Sequence, residues 1–356
     1  MKIVSIVGAR PQFIKAAVVS HHIKTSSITE VIIHTGQHFD ENMSDIFFEQ
    51  MEIPRPNYTL NINGLSHGAM TGRMMEEIEG IIMIEKPNYL LVYGDTNSTL
   101  AGALAAKKLN IKVIHIEAGL RSFNMEMPEE INRILTDRIS NVLFCPTDTA
   151  VNNLKREGFD NFDCEVLQVG DVMEDAANLF LKQAELESRI IDQLDLSKNK
   201  FILCTLHRAE NTDNEERLKK IANILNELSK SYKIILPIHP RTKAKLIEFN
   251  ITLEVNIIEP VGYFDMIMLL QNCSIVITDS GGLQKEAYFF NKFCVTLRDQ
   301  TEWVELIENE FNLIVGVNYE KALAAVKHFH STVFDRHIEL YGEGKAVQKI
   351  LSYLES

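Results

Sequence analysis

Cysteine, tryptophan and long apolar runs are scarce in this sequence, and each scarcity excludes a class of protein. The five cysteines are far apart and form no Cys-x-x-Cys pair, which argues against a disulfide framework or a zinc site. Most of them fall in apolar, strand-like segments, so we expect buried free thiols. No apolar run approaches the roughly 18 residues of a membrane-spanning helix, and the run at 3–7 is too short for a signal peptide. We therefore expect a cytoplasmic protein without membrane insertion.

Positively charged residues are also fewer than negatively charged ones. The sequence has 36 Lys and Arg residues and 49 Asp and Glu residues, which gives a formal net charge of −13. This balance argues against nucleic acid or an anionic membrane as a partner. It does not exclude a small anionic substrate, since local Arg and Lys side chains can reverse the field inside a cleft. Hydrophobic content of 46% and charged content of 24% are those of a globular protein, and 356 residues suit two domains.

What the sequence does contain is a repeated alternation of apolar strands and helices. Continuous Val, Ile and Leu runs predict strands in the first half at 3–7, 31–35, 90–93 and 113–116. After a helical, charged stretch at about 169–200, the alternation restarts with strands at 201–205, 234–236, 256–258, 274–278 and 293–297. Strands of this composition are typical of a parallel, doubly wound sheet. We therefore predict an α/β protein with two Rossmann-like domains, residues 1–168 and 169–340, that face a central cleft.

One turn in the second half has the features of an anion site. The strand at 275–278 is followed by Asp-Ser-Gly-Gly at 279–282 and then by a helical pattern. The first N–H groups of that helix lack partners, and the helix dipole favours negative charge there. Gly281 and Gly282 would let a phosphate approach the backbone, and Glu286, about one turn further, could accept hydrogen bonds from ribose hydroxyls. A tight turn without a ligand is the alternative.

Polar residues follow several predicted strands directly, namely Arg10, Asp95, Glu117, His207 and Ser280. In open parallel sheets, ligands bind beyond the carboxyl ends of the strands. This shared placement favours a binding cleft between the two domains over a purely structural explanation.

Six motifs follow one another along the chain and are far more specific together than singly. They are Gly-Ala-Arg-Pro-Gln-Phe-Ile-Lys at 8–15, Gly-Asp-Thr-Asn-Ser-Thr at 94–99, His-Ile-Glu-Ala-Gly-Leu-Arg at 115–121, Pro-Glu-Glu-Ile-Asn-Arg at 128–133, His-Arg-Ala-Glu-Asn at 207–211 and Thr-Asp-Ser-Gly-Gly-Leu-Gln-Lys-Glu at 278–286. Segments 298–302 and 341–344 extend the pattern. Over nearly the whole chain, these motifs closely resemble the non-hydrolysing UDP-N-acetylglucosamine 2-epimerases.

The resemblance implies the glycosyltransferase-B architecture, with a C-terminal segment at 341–356 whose helix crosses back onto the first domain. It implies an isomerase that converts UDP-N-acetylglucosamine to UDP-N-acetylmannosamine for bacterial surface polysaccharides. The family eliminates UDP to give a 2-acetamidoglucal and adds UDP back after protonation on the opposite face. This route needs an acid, a base and an anion site, but no cofactor and no metal. The family is commonly homodimeric.

Four residues match family positions with catalytic roles, namely Asp95, Glu117, Glu129 and His207. Carboxylates gathered in one cleft push their pKa values apart, which allows one acid and one base. Which carboxylate takes which role stays open, and Asp95 could instead be the N-cap of the following helix. A satisfied core histidine is the alternative for His207, and His239 is open between the two readings. The histidines expected to be structural or on the surface are His21, His22, His34 and His115.

The substrate-binding residues that the family implies fall in both halves of the chain. They are Arg10, Lys15 and Arg133 in the first half and Arg208, Ser280, Gly281, Gly282, Glu286 and Arg298 in the second. Arg133 lies four positions after Glu129, so we expect an ion pair that holds this carboxylate in place. We expect Glu130 to face solvent or to pair with a nearby Lys or Arg.

Three replacements depart from the usual family pattern. Ala9 and Gln12 stand where the family usually has Thr and Glu, and Trp303 takes the place of an Arg-Pro pair. They resemble the branch that acts on UDP-2,3-diacetamido-2,3-dideoxy-glucuronate, which is the alternative substrate. Neutral Gln12 would repel a substrate carboxylate less, Ala9 would leave room for a 3-substituent, and Trp303 would offer an apolar wall.

Other functions remain open at this stage. Some family members bind a second UDP-N-acetylglucosamine as an activator; Gln37 and His38 resemble part of that site, but the neighbourhood of Arg73 does not. A glycosyltransferase with the same fold would need an acceptor site, and a UDP-sugar sensor would need no carboxylates. Hydrolysing relatives, which release free N-acetylmannosamine, are a nearer alternative, against which the motifs at Arg10 and His207 argue.

Overall fold

The computed structural model describes residues 1–37 and 54–356, except for the side chain of Arg10. The chain divides into two compact units: unit 1 comprises residues 1–178 and 339–356, and unit 2 comprises residues 179–338. Each unit is built around one parallel sheet. Among the described helices, none is both long and apolar enough to span a lipid bilayer.

Unit 1 contains a seven-stranded sheet in the order β3-β2-β1-β4-β5-β6-β7, and all neighbouring strands are parallel. The strands are β1 (Lys2–Val7), β2 (Thr29–His34), β3 (Tyr58–Thr59), β4 (Tyr89–Tyr93), β5 (Lys112–Ile116), β6 (Val142–Cys145) and β7 (Glu165–Gln168). Its described helices begin with α1 (Arg10–Ile23), α2 (His67–Glu85), α3 (Asn97–Lys108), α4 (Pro128–Ile139), α5 (Asp148–Arg156) and a short 3₁₀ helix (Phe159–Asn161). Helix α6 (Val172–Glu187) contains the division between the units.

Unit 2 contains a six-stranded parallel sheet in the order β10-β9-β8-β11-β12-β13. The strands are β8 (Phe201–Thr205), β9 (Lys233–Pro237), β10 (Asn256–Ile258), β11 (Ile275–Thr278), β12 (Phe293–Thr296) and β13 (Asn312–Ile314). The helices are α7 (Ile190–Gln193), α8 (Ala209–Thr212), α9 (Glu215–Ser229), α10 (Pro240–Glu248), α11 (Tyr263–Asn272), α12 (Gly281–Phe289), α13 (Val304–Glu308) and α14 (Tyr319–Ser331).

The prediction of two doubly wound parallel sheets is confirmed. The strand order changes direction between β1 and β4 in unit 1 and between β8 and β11 in unit 2, and such switch points are where α/β sheets bind ligands. The pattern of apolar runs does not predict β3, β6, β7 or β13. Strands β3 and β7 lie at sheet edges and are only partly buried, so they need no continuous apolar run.

The core of unit 1 forms because its central strands are apolar on both faces. Ile6, Leu90 and Val92 are completely buried, and helix α2 covers the sheet with Met74 and Ile78. Burial of side chains of this size is the main favourable contribution to folding. The same core fixes where the turns at the strand ends lie.

Helix α3 approaches the sheet closely at Gly102. A Cβ atom at this position would lie 2.9 Å from Cγ1 of Ile6 and 3.4 Å from Cγ1 of Val92. Any side chain there would push the helix away from the strands. The glycine therefore helps to set the position of the α3 N-terminus beside the turn after β4.

The final segment of the chain returns to unit 1 and crosses it at Gly170. Gly170 and Gly342 adopt φ values of +103° and +94°, and a Cβ atom at 170 would lie 3.1 Å from Cα of Gly342. The amide of Asp171 donates to the carbonyl of Tyr341 at 2.7 Å. Two backbones can come this close only because both glycines lack a side chain.

Helix α15 (Ala346–Leu354) follows this crossing and packs against α1. The carboxylate of Asp175, on α6, lies at its N-terminus and accepts the amides of Ala346 and Val347, both at 3.1 Å. A carboxylate here satisfies two free N–H groups and complements the helix dipole. The last helix of the chain is thus fastened to unit 1 by one buried acid.

We expect Asp175 to make the stability of unit 1 fall as pH rises. Burial raises the pKa of Asp175 to about 6; the capping amides of residues 346 and 347 oppose this, and the charges of Glu174 and Asp171 add to it. Between pH about 4 and about 6 the native state holds a proton that the unfolded chain has released, so stability is lost as pH rises through this window.

The Asp175→Asn variant removes this titration. The difference in free energy of unfolding between variant and wild type should therefore change by roughly 2–3 kcal/mol between pH 4 and pH 7, in favour of the variant at pH 7. Chemical denaturation at both pH values measures it. Asp160→Asn, at an exposed position of the same unit, is the control, and a pH-independent difference for Asp175→Asn would contradict the assignment.

Candidate functional site

Three turns meet at the carboxyl edge of the unit 1 sheet because β4 lies between β1 and β5. The turn after β1 leads to Arg10, the turn after β4 carries Asp95, and the turn after β5 carries Glu117. The side chain of Arg10 lies outside the described part of the structure, so its phosphate contact stays a prediction. The two carboxylates are described, and each is paired with a cation.

Glu117 forms an ion pair with Lys15 of α1, and the two side chains are 11% and 8% exposed. The pair lies over the turn at Gly94, where a Cβ atom would be 3.3 Å from Oε2 of Glu117 and 3.5 Å from Nζ of Lys15. Glu117 has a φ of +72°, in the left-handed region that non-glycine residues seldom adopt. Such strain persists only where the surroundings enforce it, and it clusters at functional sites. Lys15, which the resemblance assigns to the substrate, is therefore held beside a candidate catalytic carboxylate.

Asp95 is paired with Arg133 of α4, whose Nη2 lies 2.6 Å from Oδ2. About a third of the Asp95 side chain is exposed, at 32%. The helix that follows is capped by Thr96, which accepts the amide of Thr99. The alternative in which Asp95 is the N-cap is therefore wrong.

The expected ion pair between Arg133 and Glu129 is replaced by another. Nη1 of Arg133 lies 3.3 Å from Oε2 of Glu130, three positions earlier. Glu130 is completely buried, so its solvent-facing alternative is wrong and its pairing with a cation is confirmed; it also accepts the amides of Ser122 and Phe123 at 2.9 and 2.8 Å. Glu129 is exposed on the first turn of α4. Neighbouring side chains on a helix point about 100° apart, so Glu130 can be buried while Glu129 is exposed.

A buried pair, His115 and Asp137, lies beneath these turns. Nδ1 of His115 is 2.7 Å from Oδ1 of Asp137, and Nε2 is 2.7 Å from the carbonyl oxygen of Gly94. The other oxygen of Asp137 accepts the amide of Gly119 at 3.1 Å and Nη1 of Arg121 at 2.7 Å. Asp137 was not predicted from the sequence. The one sequence feature that points to it is its position on α4, two turns after Glu130.

The charges around Asp137 decide its protonation. Burial alone would raise the pKa of Asp137, but the hydrogen bond from His115 and the charges of His115 and Arg121 outweigh burial and lower it. Arg121 continues outward and donates to both oxygens of Glu157, at 2.6 and 2.8 Å. Asp137 is therefore an ionised carboxylate in the interior, held by His115 on one side and by Arg121 on the other.

Gln12 connects the first two turns. Its Oε1 accepts the amides of Gly8 and Ala9 at 2.8 and 3.1 Å. Its Nε2 donates to the carbonyl of Tyr93 at 2.8 Å and to two threonine hydroxyls at the start of α3 at 3.0 and 2.9 Å. The protein uses the whole amide, so the charge argument for Gln12 no longer supports the alternative substrate. An amide suits this position because the Tyr93 carbonyl requires a donor.

In unit 2, the completely buried Asp279 holds the turn after β8. Its carboxylate accepts the amides of His207 and Arg208, each at 3.0 Å. It also accepts the side-chain amide of Asn211 at 3.2 Å. The residue after β11 thereby positions the two cationic candidates after β8, and the register Thr278↔Thr205 brings the two strand ends together.

His207 projects from this turn, and 45% of its side chain is exposed. Burial lowers the pKa of His207; the nearby Asp279, 3.6 Å from Nδ1, opposes this, and the charges of Arg208 and His239 add to it. Solvent around the exposed half of the ring limits the effect. His239 is the N-cap of α10 and accepts the amide of Arg241 at 3.2 Å, which supports the structural alternative for this residue.

The predicted anion turn forms the N-terminus of α12. Ser280 is the N-cap, but in the described structure its side chain makes no capping hydrogen bond. A Cβ atom at Gly282 would meet no atom within 4 Å, whereas one at Gly281 would lie 3.5 Å from Nη2 of Arg208. Glu286 is half-buried about one turn further along. Ser280, both glycines and Arg208 are therefore gathered at one helix N-terminus with open space beside Gly282.

Arg298 follows β12 at the flank of this turn. Its Nη1 lies 3.0 Å from Glu302, and its Nε lies 3.7 Å from Glu210. Glu302 borders Gly281, since it is the atom group that a Cβ at this glycine would meet first. Two carboxylates of the protein itself therefore contact the Arg298 guanidinium.

Trp303 is buried, and Nζ of Lys285 lies 4.0 Å from the centre of its ring. This distance is that of a cation–π contact. The ring face that Lys285 covers is not available to an acetamido methyl group. Within residues 1–37 and 54–356, no three His, Cys, Asp or Glu side chains are grouped so as to hold a metal ion.

Comparison with known proteins identifies the family. The family model described as UDP-N-acetylglucosamine 2-epimerase matches residues 21–355. The UDP-2,3-diacetamido-2,3-dideoxy-D-glucuronate 2-epimerase of Pseudomonas aeruginosa is 54% identical over 356 residues, which cover 99% of each chain.

Solved structures give the same result. The UDP-GlcNAc 2-epimerase of Methanocaldococcus jannaschii, in complex with UDP-GlcNAc and UDP, is 44% identical with a TM-score of 0.90, over 100% of this chain and 99% of that one. The UDP-GlcNAc 2-epimerase of Neisseria meningitidis bound to UDP-GlcNAc is 30% identical with a TM-score of 0.89, over 100% of both chains. Sequence and fold agree over their full length, and the chain is an isomerase of the UDP-N-acetylglucosamine 2-epimerase family.

Proposed function

We propose that this protein inverts carbon 2 of UDP-N-acetylglucosamine to give UDP-N-acetylmannosamine, in the cytoplasm as the sequence predicts. The observation that carries the proposal is the pair of carboxylates Asp95 and Glu117 on adjacent turns, each held by a cation. The hydrogen at carbon 2 is not acidic, so its simple removal and return is a poor route. Elimination of UDP makes its removal feasible, because the electron pair is passed to a leaving group.

The chemistry needs one base and one acid. In the first step a carboxylate takes the proton from carbon 2 while the bond between carbon 1 and the UDP oxygen breaks, and UDP leaves with the electron pair. In the second step the UDP oxygen adds to carbon 1 of the 2-acetamidoglucal while a carboxylic acid protonates carbon 2 from the opposite face. We assign these roles to Asp95 and Glu117, with Glu129 and His207 completing the catalytic set.

We assign UDP binding to unit 2. The Ser280 hydroxyl, the amides of Gly281 and Gly282 and the guanidinium of Arg208 offer donors to a pyrophosphate at the N-terminus of α12. Glu286 is placed to accept from ribose hydroxyls. The other cations assigned to the substrate are Arg10, Lys15, Arg133 and Arg298.

Incubation with UDP-N-acetylglucosamine in heavy water should exchange the hydrogen at carbon 2 with solvent. Asp95→Asn and Glu117→Gln should each lower turnover by roughly 10²–10⁴-fold, the usual scale of general acid–base catalysis, with UDP affinity nearly unchanged. Ser280→Ala should instead weaken UDP binding. Mass spectrometry of the product and calorimetric titration with UDP measure the two effects.

Glu126→Gln, at an exposed position before α4, is the matched control and should behave as wild type. Epimerised product that retains its original hydrogen would rule out the elimination route. Transfer of the sugar to an acceptor without exchange would indicate a glycosyltransferase, and binding without any reaction would indicate a sensor.

A second candidate substrate is UDP-2,3-diacetamido-2,3-dideoxy-D-glucuronate, for which the Pseudomonas aeruginosa relative is named. The 54% identity to this relative favours it. The replacements at Ala9, Gln12 and Trp303 do not, because all three side chains are buried. The Gln12 amide is also engaged by two turns, and Lys285 covers one face of Trp303. The identity alone therefore supports this alternative.

We expect kcat/KM for UDP-N-acetylglucosamine to equal or exceed that for the diacetamido-glucuronate nucleotide. Both are measured on one preparation, since only a ratio within the same sample reports specificity. A preference of more than about tenfold for the diacetamido nucleotide, or about 1.4 kcal/mol, would assign the second substrate and leave the reaction type intact.

We also infer a homodimer. Helix α3 packs against both α2 and α4, so the three helices form one layer over the unit 1 sheet. This layer exposes Ile131 and Leu135, one turn apart on α4, and Met83 and Ile84 at the end of α2. Exposed apolar groups on one layer mark an interaction surface, and a second copy related by a twofold axis would cover the same groups on both partners.

The double variant Ile131→Lys, Leu135→Lys should shift the molar mass in solution from dimer to monomer, because charge is placed on the apolar surface. Size-exclusion chromatography with light scattering measures this. Ile247→Lys, at an exposed position of unit 2, is the control and should stay dimeric. A monomeric wild type, or an unchanged molar mass for the double variant, would contradict the proposed dimer.

A further inference from the structure

The geometry points to His115 and Asp137 as positioning residues that hold the turns of Asp95 and Glu117 in register for the epimerisation. This inference rests on the proposed function. Neither side chain takes a place among the candidate reacting groups, because both are completely buried beneath the turns. Their effect on the reaction is therefore exerted through the backbone.

The first turn is held through His115. Its Nε2 lies 2.7 Å from the carbonyl oxygen of Gly94, the residue that precedes Asp95. The same turn is fixed on its other side, because the amide of Gly94 donates to the carbonyl of Ile116 at 3.0 Å. Both polar groups of Gly94 are thus engaged by β5, so the start of the Asp95 turn has little freedom.

The two ring nitrogens of His115 face different acceptors, at 2.7 Å each. The ring therefore bridges the carbonyl oxygen of Gly94 and the carboxylate of Asp137. A polar pair that is completely buried is sensitive to the loss of either partner, because no water replaces the group that is removed.

The second turn is held through Asp137. Its Oδ2 accepts the amide of Gly119, two residues after Glu117, and Nη1 of Arg121. Glu117 itself has a positive φ of +72°, a strained conformation that persists only where its surroundings over-determine it. The carboxylate of Asp137 is one part of those surroundings, and His115 links it to the Asp95 turn.

Two substitutions at His115 separate the two contacts. The amide nitrogen of Asn lies near the position of Nδ1, so His115→Asn keeps the donor to Asp137 and loses the one to Gly94. The amide nitrogen of Gln lies near the position of Nε2, so His115→Gln keeps the donor to Gly94 and loses the one to Asp137. If His115 were only structural, each substitution would lower kcat in proportion to the stability that it removes.

We expect kcat for UDP-N-acetylglucosamine to fall about 10²-fold in His115→Asn, the cost of a displacement of about 1 Å at a catalytic group. In His115→Gln it should fall by less than about tenfold, since the Asp95 turn keeps its donor. The dissociation constant for UDP, which unit 2 binds, should stay within about twofold of wild type in both variants. Equal losses of kcat in the two variants would overturn the proposal.

A second measurement does not need activity. Hydrogen exchange of the amides at 94–99 should be faster in His115→Asn than in His115→Gln, and exchange at 117–121 should be faster in Asp137→Asn than in either. Ser5→Ala, which removes a completely buried hydroxyl that donates to Glu30, is the control for general destabilisation and should leave both segments and kcat unchanged. Uniform acceleration in all variants would overturn the proposal even if His115→Asn folds poorly.

The two readouts also separate the two hypotheses. If the wild type epimerises neither nucleotide, the proposed function fails, and the exchange pattern alone decides whether His115 and Asp137 hold the turns. If the wild type epimerises and the exchange pattern is uniform, the function holds and the positioning role fails.

Discussion

Turns that follow the strands of a parallel sheet are partly buried, and their backbone N–H and C=O groups must find partners inside the protein. The candidate residues of both units depend on this constraint. In unit 1, Gln12 joins the turns after β1 and β4, and the pair His115 and Asp137 joins those after β4 and β5. In unit 2, Asp279 serves the turn after β8. One or two buried polar side chains at each junction give the turns a fixed shape, which also fixes the positions of the exposed groups on these turns.

Burial separates the charged groups that hold the turns from Asp95, a candidate catalytic group. Asp137 and Asp279 are completely buried and each receives several hydrogen bonds. Asp95 is paired with Arg133 and remains partly exposed. A carboxylate surrounded by donors is costly to disturb, whereas a partly exposed one can exchange its partner for a ligand. Burial thus distinguishes the two aspartates that hold turns from the candidate catalytic aspartate.

The architecture could be predicted from sequence because it depends on composition over several residues. Buried central strands such as β4 and β8 need apolar side chains on both faces, so each appears in the sequence as a continuous run of apolar residues. Edge strand β7 has water on one side and leaves none. Candidate site residues could be found because they follow the strands directly or lie in recognisable motifs.

Side-chain partners could not be predicted, because they depend on directions that differ by one position. Helical spacing predicts an ion pair of Arg133 with Glu129, yet Arg133 pairs with Glu130 and Asp95. The sequence predicts that Gln12 lowers the negative charge near a substrate, yet its amide is bound by backbone groups of two turns. Both outcomes depend on how tightly helices α1 and α4 pack on the sheet, which spacing along the chain does not report.

The return of the chain to unit 1 has a consequence for the order of assembly during synthesis. Unit 2 is a continuous segment, residues 179–338, whereas unit 1 needs residues 339–356 as well. Asp175 has no helix to cap, and α1 has no partner in α15, until residues 339–356 have left the ribosome. Domains usually fold in the order in which they emerge. Here the half that is translated first is the half that is completed last.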